Sequence, residues 1–336
     1  MDIFWIVLPF LFLFIILISF LFYLSLFVKQ PQLSHQGHYE RFQIDNVEYE
    51  TLSFIHCDQN QDLFIVNFPG NPGICGFYEN YYAYLYESFC GKINIIGTSN
   101  KGLLSISWLQ SLKNWFFFCE RFTIKDQVQY HLNFVRYLIK KHPKAKFILT
   151  GHSLGCYVLL ETLKDLPKEK ILKGIMICPA IEKLAESPKG MRFPYKQSSS
   201  DILIYFAVLV VSLFLFVPKQ IKKGFLSSIT KDENILVYIM RLHEFNVGIN
   251  YINLGAESLK YVNEVNSKTI KQNEKKLWFL YVMYDDWIPF FLYRRMKDKY
   301  KKAHFTLDNG IIGHAYMFQG LQETVEYVKN CIQADN

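Results

Sequence analysis

Residues 146–163, KFILTGHSLGCYVLLETL, set a Gly-x-Ser-x-Gly between an apolar β-type run and a stretch of helical composition. A serine on a sharp strand-to-helix bend presents its hydroxyl. The bend is strained, and side chains two positions to either side would collide. Gly151 and Gly155 remove those side chains. A helix opening near Leu154 brings its positive end and its unpaired N–H groups beside the serine. The five-residue motif alone is weak, but a strand before it and a helix after it make it specific. Ser153 is therefore the candidate nucleophile. Its chemistry requires an acid and then a histidine downstream, together with two N–H donors for an oxyanion.

The apolar run KLWFLYVMY ends in Asp285 and Asp286, followed by Trp287, Ile288 and Pro289. A carboxylate just past a strand end is well placed to hold a histidine. The Asp-x-x-Ile-Pro spacing favours Asp285, with Asp286 as the alternative acid. One of the two also suits the cap of a helix opening at Pro289. His314, in GIIGHAYMF, follows a strand-like run and Gly313 and precedes a helix, so its loop can reach the same sheet edge. It is the candidate general base. Leu154, directly after the nucleophile, supplies one oxyanion N–H. The second is expected from FPGNPG, residues 68–73. Pro72 has no N–H there, which leaves Asn71 or Gly73, with Asn71 nearer.

The chain has 336 residues, is 51% hydrophobic and 17% aromatic, and carries a formal charge of +7 that is mostly lysine. This mild basic excess suits an anionic membrane surface. No basic block interleaved with aromatics points to nucleic acid. The seven cysteines form no Cys-x-x-Cys pair. Their odd number argues against a disulfide framework and a zinc site, so no metal and no cofactor is expected. The absence of an Asn-x-Ser/Thr sequon agrees with a catalytic domain facing the cytosol.

Residues 3–28 contain no charge. At ~1.5 Å per helical residue such a run can cross a ~30 Å hydrocarbon core. It lacks the basic start and small-residue cleavage site of a signal peptide, so residues 1–30 read as an uncleaved membrane anchor. A second uncharged run, 202–217, is short for a span and is followed by Pro218, Lys219, Lys222 and Lys223. It resembles a membrane-dipping helix, and a buried helix of a cap is the other reading.

Between these runs, β-type segments alternate with helical ones. Ile124, Val128, Leu132, Val135 and Leu138 recur at helical spacing, opened by Thr123 and Asp126 and closed by Pro143. This rhythm predicts a mostly parallel central sheet with helices on both faces, and an early strand pair forming an antiparallel edge. The rhythm breaks over residues 182–270, between the sixth and seventh strand-like units. The expected organisation is a domain over 40–336 with an apolar cap inserted at about 182–270.

The motifs FPGNPG, FYENYYAYL, GHSLG, YDDWIP and GHAYMF together resemble the α/β-hydrolase superfamily and, within it, the lipid droplet-associated hydrolase family. They cover roughly residues 61–330. The resemblance implies a serine lipase or esterase acting on neutral lipid esters at lipid droplets and the endoplasmic reticulum membrane, with apolar cap segments touching the lipid surface. It implies no obligate protein partner. The long apolar run at 3–28 departs from the family. So does an acid loop one residue shorter than the usual Asp-Asp-Gly-Trp, which leaves Asp285 and Asp286 both open. An acyltransferase using the same acyl-enzyme, or a lipid-surface binding protein with little turnover, fits the same residues.

Overall fold

Asp45 and Asn46 both take positive φ, 48° and 63°. This is the backbone of a two-residue hairpin turn whose twist matches its strands. They join β1 (His38–Ile44) to β2 (Val47–Phe54), paired antiparallel with Ile44 opposite Val47. The computed structural model describes residues 37–56, 62–106, 119–192, 238, 241–242 and 244–334. Beyond the hairpin follow β3 (Leu63–Phe68), α1 (Glu79–Ser88), β4 (Asn94–Thr98), α2 (Ile124–Lys141), β5 (Lys146–His152), α3 (Leu154–Leu163) and β6 (Ile171–Ile177). Then come α4 (Pro188–Arg192), α5 (Phe245–Tyr261), α6 (Ser267–Asn273), β7 (Leu277–Val282), α7 (Phe290–Lys299), β8 (His304–Asp308) and α8 (Leu321–Gln333).

The strands form one sheet in the order β1-β2-β4-β3-β5-β6-β7-β8. β2 pairs antiparallel with β4, and every pairing from β4 to β8 is parallel. The mostly parallel sheet and its antiparallel edge match the alternation seen in the sequence. Side-chain alternation along each strand divides the core in two. Phe64, Val66, Phe147, Leu149, Phe279 and Tyr281 face α2 and α3 on one side. Ile65, Ile148, Leu280 and Val282 face α1 and α8 on the other. Both faces are covered, which is why these strands read as continuous apolar runs.

α2 begins and ends where its capping signals place it. Thr123 Oγ1 accepts from the Asp126 amide, and the Asp126 carboxylate accepts from the Thr123 amide at 2.7 Å. Among the helices that escaped the sequence reading, α5 is the longest. α5 lies inside the stretch expected to be irregular, because Gly248, Gly255 and three asparagines give it poor intrinsic propensity. Tertiary bonds hold it instead. Asn250 Oδ1 accepts from the Phe122 amide at 3.0 Å, Asn253 donates to the Phe122 carbonyl at 2.9 Å, and Asn246 donates to the Leu104 carbonyl at 3.1 Å. Just before it, Arg241 pairs with buried Glu50 of β2, which also accepts from Arg41 at 2.9 Å.

The apolar runs 3–28 and 202–217 lie outside the described residues. Among the described residues no helix is long and apolar enough to cross a membrane.

Candidate active site

In a parallel sheet the carboxyl ends of the strands emerge on one edge, and loops there can converge. Ser153 follows β5, Asp285 follows β7, and His314 lies on the loop between β8 and α8. Ser153 adopts φ 50°, ψ −120°, a strained backbone for a residue with a side chain. The glycines on either side explain how the turn fits. A Cβ on Gly155 would lie 2.1 Å from the Phe68 carbonyl oxygen, and one on Gly151 would lie 3.0 Å from the Cys156 Cα. The turn is anchored by the Ser153 amide donating to Ile177 O at 3.0 Å and the Ser153 carbonyl accepting from Ala180 at 3.2 Å.

His314 Nε2 lies 2.9 Å from Ser153 Oγ, and its Nδ1 lies 2.6 Å from Asp285 Oδ2. The loop that carries His314 is fixed from below. Asp308 accepts from the Gly310 and Ile312 amides at 2.7 and 2.9 Å, and Gly313 donates to Gln319 O at 3.0 Å. Asp285 is 5% exposed, and its Oδ1 accepts from the Trp287 and Ile288 amides at 2.8 and 3.1 Å. Burial alone would raise its pKa. The bond and charge of His314 and the two amides outweigh burial and hold the carboxyl below its ordinary range. Asp286 is exposed, away from His314, and its carbonyl accepts from the Lys189 amide at 3.1 Å. One carboxylate thus meets His314 and braces its own turn through its other oxygen. Neither aspartate side chain caps α7, whose N-cap is Pro289.

Asn71 and Leu154 line the same cavity as Ser153 and His314. Asn71 is tied to α5 by its Nδ2, which donates to Tyr251 O at 3.0 Å. Its loop is held from two sides. Asn100 donates from Nδ2 to Gly70 O at 3.0 Å and from its amide to Gly73 O at 2.6 Å. His131 Nε2 lies 2.8 Å from Asn100 Oδ1. The Gly70 amide donates to Tyr78 Oη at 2.8 Å. The cavity measures about 540 Å³, within the range of small-molecule sites. Its apolar wall includes Phe77, Leu184, Leu242, Trp287 and Met317.

Three neighbours were not foreseen from sequence. Cys178, at φ 47° and fully buried, brings its sulfur within 4.8 Å of the Asp285 and His314 ligand atoms. Burial and the Asp285 charge push its thiol well above the ordinary range, so it stays protonated. Tyr78 and His152 are the other two. Tyr78 and His152 lie inside the motifs FYENYYAYL and GHSLG, but nothing local marks any of the three as a neighbour of the site, because their partners come from separate loops.

The sequence profile of lipid-droplet associated hydrolases matches residues 61–317 of this chain. The chain belongs to the lipid-droplet associated hydrolase family. It is 25% identical over 287 residues to the lipid droplet-associated hydrolase of Gallus gallus, covering 81% of this chain and 85% of that protein. It is 26% identical over 292 residues to that of Homo sapiens, with the same coverage. Among solved structures it is similar to an α/β-hydrolase enzyme from a deep-sea metagenome library of the Medee basin. There the TM-score is 0.59 at 14% identity, over 88% of this chain and 98% of the other. The likeness gives this lipid-droplet associated hydrolase family member the α/β-hydrolase fold.

The two buried histidines beside this site make acid sensitivity calculable. Burial pushes both His131 and His152 down to about 3, the nearby His314 adding to the effect at His152. The folded protein holds both neutral, while the unfolded chain protonates them near ~6.5. Between those values the unfolded state binds more protons, so stability rises with pH and is lost as pH falls below about 6.5. The depressed carboxyl of Asp285 acts in the same direction at lower pH. Each histidine contributes at most about 1.4 kcal/mol per pH unit in that window. Urea midpoints should therefore fall steadily from pH 7 to pH 5; a flat profile would contradict two buried neutral imidazoles.

Proposed function

We propose that the protein is a serine hydrolase of lipid esters that works at a lipid surface through an acyl-enzyme on Ser153. The observation that carries this reading is the hydrogen-bonded series Ser153–His314–Asp285 on the wall of an apolar cavity. Ser153 Oγ attacks the ester carbonyl as His314 Nε2 takes its proton. Asp285 holds the Nδ1–H tautomer and stabilises the imidazolium. The oxyanion is received by the amides of Leu154 and Asn71. The Gly70 amide is already given to Tyr78 and Pro72 has none, which favours Asn71 on that loop. His314 returns the proton to the leaving alkoxide, and water then cleaves the acyl-enzyme by the same steps in reverse.

The cavity volume suits one acyl chain with its ester, so the rest of a storage lipid lies outside it. Exposed apolar side chains follow the strand ends that carry the site, on α4 and on two loops, and one of them, Phe318, lines the cavity. Met191 is 63% exposed after β6, Tyr284 84% after β7, and Ile311 and Phe318 60% and 50% after β8. Family membership and this rim support a lipid surface as the working environment. Residues 1–30 serve as the anchor, and the cap, residues 182–270, brings 202–217 onto the droplet or endoplasmic reticulum membrane with the catalytic domain in the cytosol.

The activity is tested by incubating purified protein with an emulsified neutral lipid and measuring released fatty acid. Acyl transfer to an added alcohol without hydrolysis would identify an acyltransferase, and no turnover at all a surface-binding protein. The surface reading makes a separate prediction. A chain lacking residues 1–30 should still bind anionic liposomes, more weakly than the full chain. Met191→Glu with Ile311→Glu in that chain should reduce binding by about tenfold or more, since each apolar side chain returned to water forgoes roughly 1.5–3 kcal/mol when fully buried. Hydrolysis of a water-soluble short ester should not change. Unaltered flotation with liposomes would remove the rim from the surface.

A further inference from the structure

His152 precedes the nucleophile and Tyr78 closes the short helical turn Cys75–Tyr78 before α1. Both are nearly sealed from solvent, 5% and 1% exposed. Their hydrogen bonds run in one direction. The Gly70 amide can only donate, so Tyr78 Oη accepts from it at 2.8 Å. The single phenolic proton is then given to His152 Nδ1, also at 2.8 Å. With Nδ1 accepting, the neutral ring carries its proton on Nε2, which donates to the His314 carbonyl oxygen at 2.7 Å. The chain therefore starts on the oxyanion loop, one residue before Asn71, and ends on the backbone of the base.

We propose that Tyr78 and His152 are positioning residues of this site, joining the loop that carries Asn71 to the loop that carries His314 and holding both in register about Ser153. The inference rests on the serine-hydrolase reading above. Both nitrogens of His152 are engaged, so it has no free position from which to relay a proton to Ser153. The surroundings keep the arrangement fixed. The ring of Tyr316 stands edge-on to His152 with centroids 4.9 Å apart, and Tyr78 does the same at 5.9 Å. Burial pushes the His152 imidazole down to about 3 and the Tyr78 phenol up, so neither changes protonation over the working range. A Cβ on Gly70 would lie 3.0 Å from His152 Nδ1 and 3.2 Å from the Ser153 Cβ, so the oxyanion loop packs directly on the elbow. Misplacement by about 1 Å can lower a rate by ~10²-fold, which sets the scale at which this linkage acts.

The test uses the full-length protein in detergent, a fluorophosphonate probe and a soluble short-chain ester. Tyr78→Phe keeps the ring and removes the hydroxyl. Asn100 still tethers the Gly70 carbonyl, so the variant should fold, with a melting temperature lowered by several degrees because the Gly70 amide and His152 Nδ1 lose their buried partner. Its kcat and its labelling rate at Ser153 should each fall about tenfold with KM little changed, as expected when positioning rather than binding is lost. His152→Met should lose about 100-fold. His152→Gln, whose amide can donate to the His314 carbonyl, should recover most of that loss. A merely structural role predicts equal losses in His152→Met and His152→Gln, and that outcome overturns the proposal. So do wild-type rates in both Tyr78→Phe and His152→Met when wild type is labelled at Ser153. If wild type is not labelled at Ser153, the hydrolase reading fails and the proposal fails with it.

Discussion

Replacing Ser153 with alanine is expected to abolish both fluorophosphonate labelling and ester hydrolysis while the protein keeps its fold. In the proposed mechanism this hydroxyl is the atom that becomes acylated, and among the described residues it is the hydroxyl bonded to His314 Nε2, at 2.9 Å. Loss of a serine nucleophile lowers kcat by ~10⁶-fold in comparable triads. Alanine tolerates the φ of 50° at this turn about as well as serine does. The anchoring bonds to Ile177 and from Ala180 use backbone atoms only. Circular dichroism and the melting temperature should therefore be unchanged. His314→Ala should lose activity on a similar scale. Hydrolysis retained by pure Ser153→Ala protein would sink the assignment.

The second large effect separates two adjacent aspartates. Asp285→Asn should lower kcat by ~10⁴-fold, whereas Asp286→Asn should stay close to wild type. The direction follows from the second oxygen of Asp285. The Trp287 and Ile288 amides both donate to Oδ1, so an asparagine there keeps its oxygen on that side and turns its NH₂ toward His314. The imidazole must then accept at Nδ1 and carry its proton on Nε2, facing Ser153, where a base is needed. Asp286 is exposed and contributes a backbone carbonyl to Lys189. Full activity in Asp285→Asn, or severe loss in Asp286→Asn, would reverse the choice.

What the sequence revealed and what it hid have separate physical origins. Local chemistry was legible. The elbow needs its two glycines within five residues, and α2 announces itself through Thr123, Asp126 and five apolar residues at helical spacing. Asp285 and His314 could be picked out as candidates because chain order and strand ends restrict where such residues can stand, although the adjacent aspartates look alike until the turn around Oδ1 is seen. α5 was illegible because its stability comes from bonds to residues 104–122 rather than from its own composition. The pair Tyr78 and His152 was illegible for a stronger reason. Its meaning lies in the direction of four hydrogen-bonding groups drawn from four segments of chain, and no local pattern encodes that.

The separation of Ser153 and His314 by 161 residues orders events during synthesis. The growing chain exposes its first apolar run, then the elbow, then the second apolar run, and only after these the loop that follows β8. On the proposed reading, a nascent chain can thus meet a lipid surface while Ser153 still lacks His314. In the proposed mechanism, ester cleavage has to wait until β8 has docked on β7 and the loop carrying His314 has closed over the sheet edge. On that reading, premature termination anywhere before that loop would yield a protein without turnover, not one that is partly active.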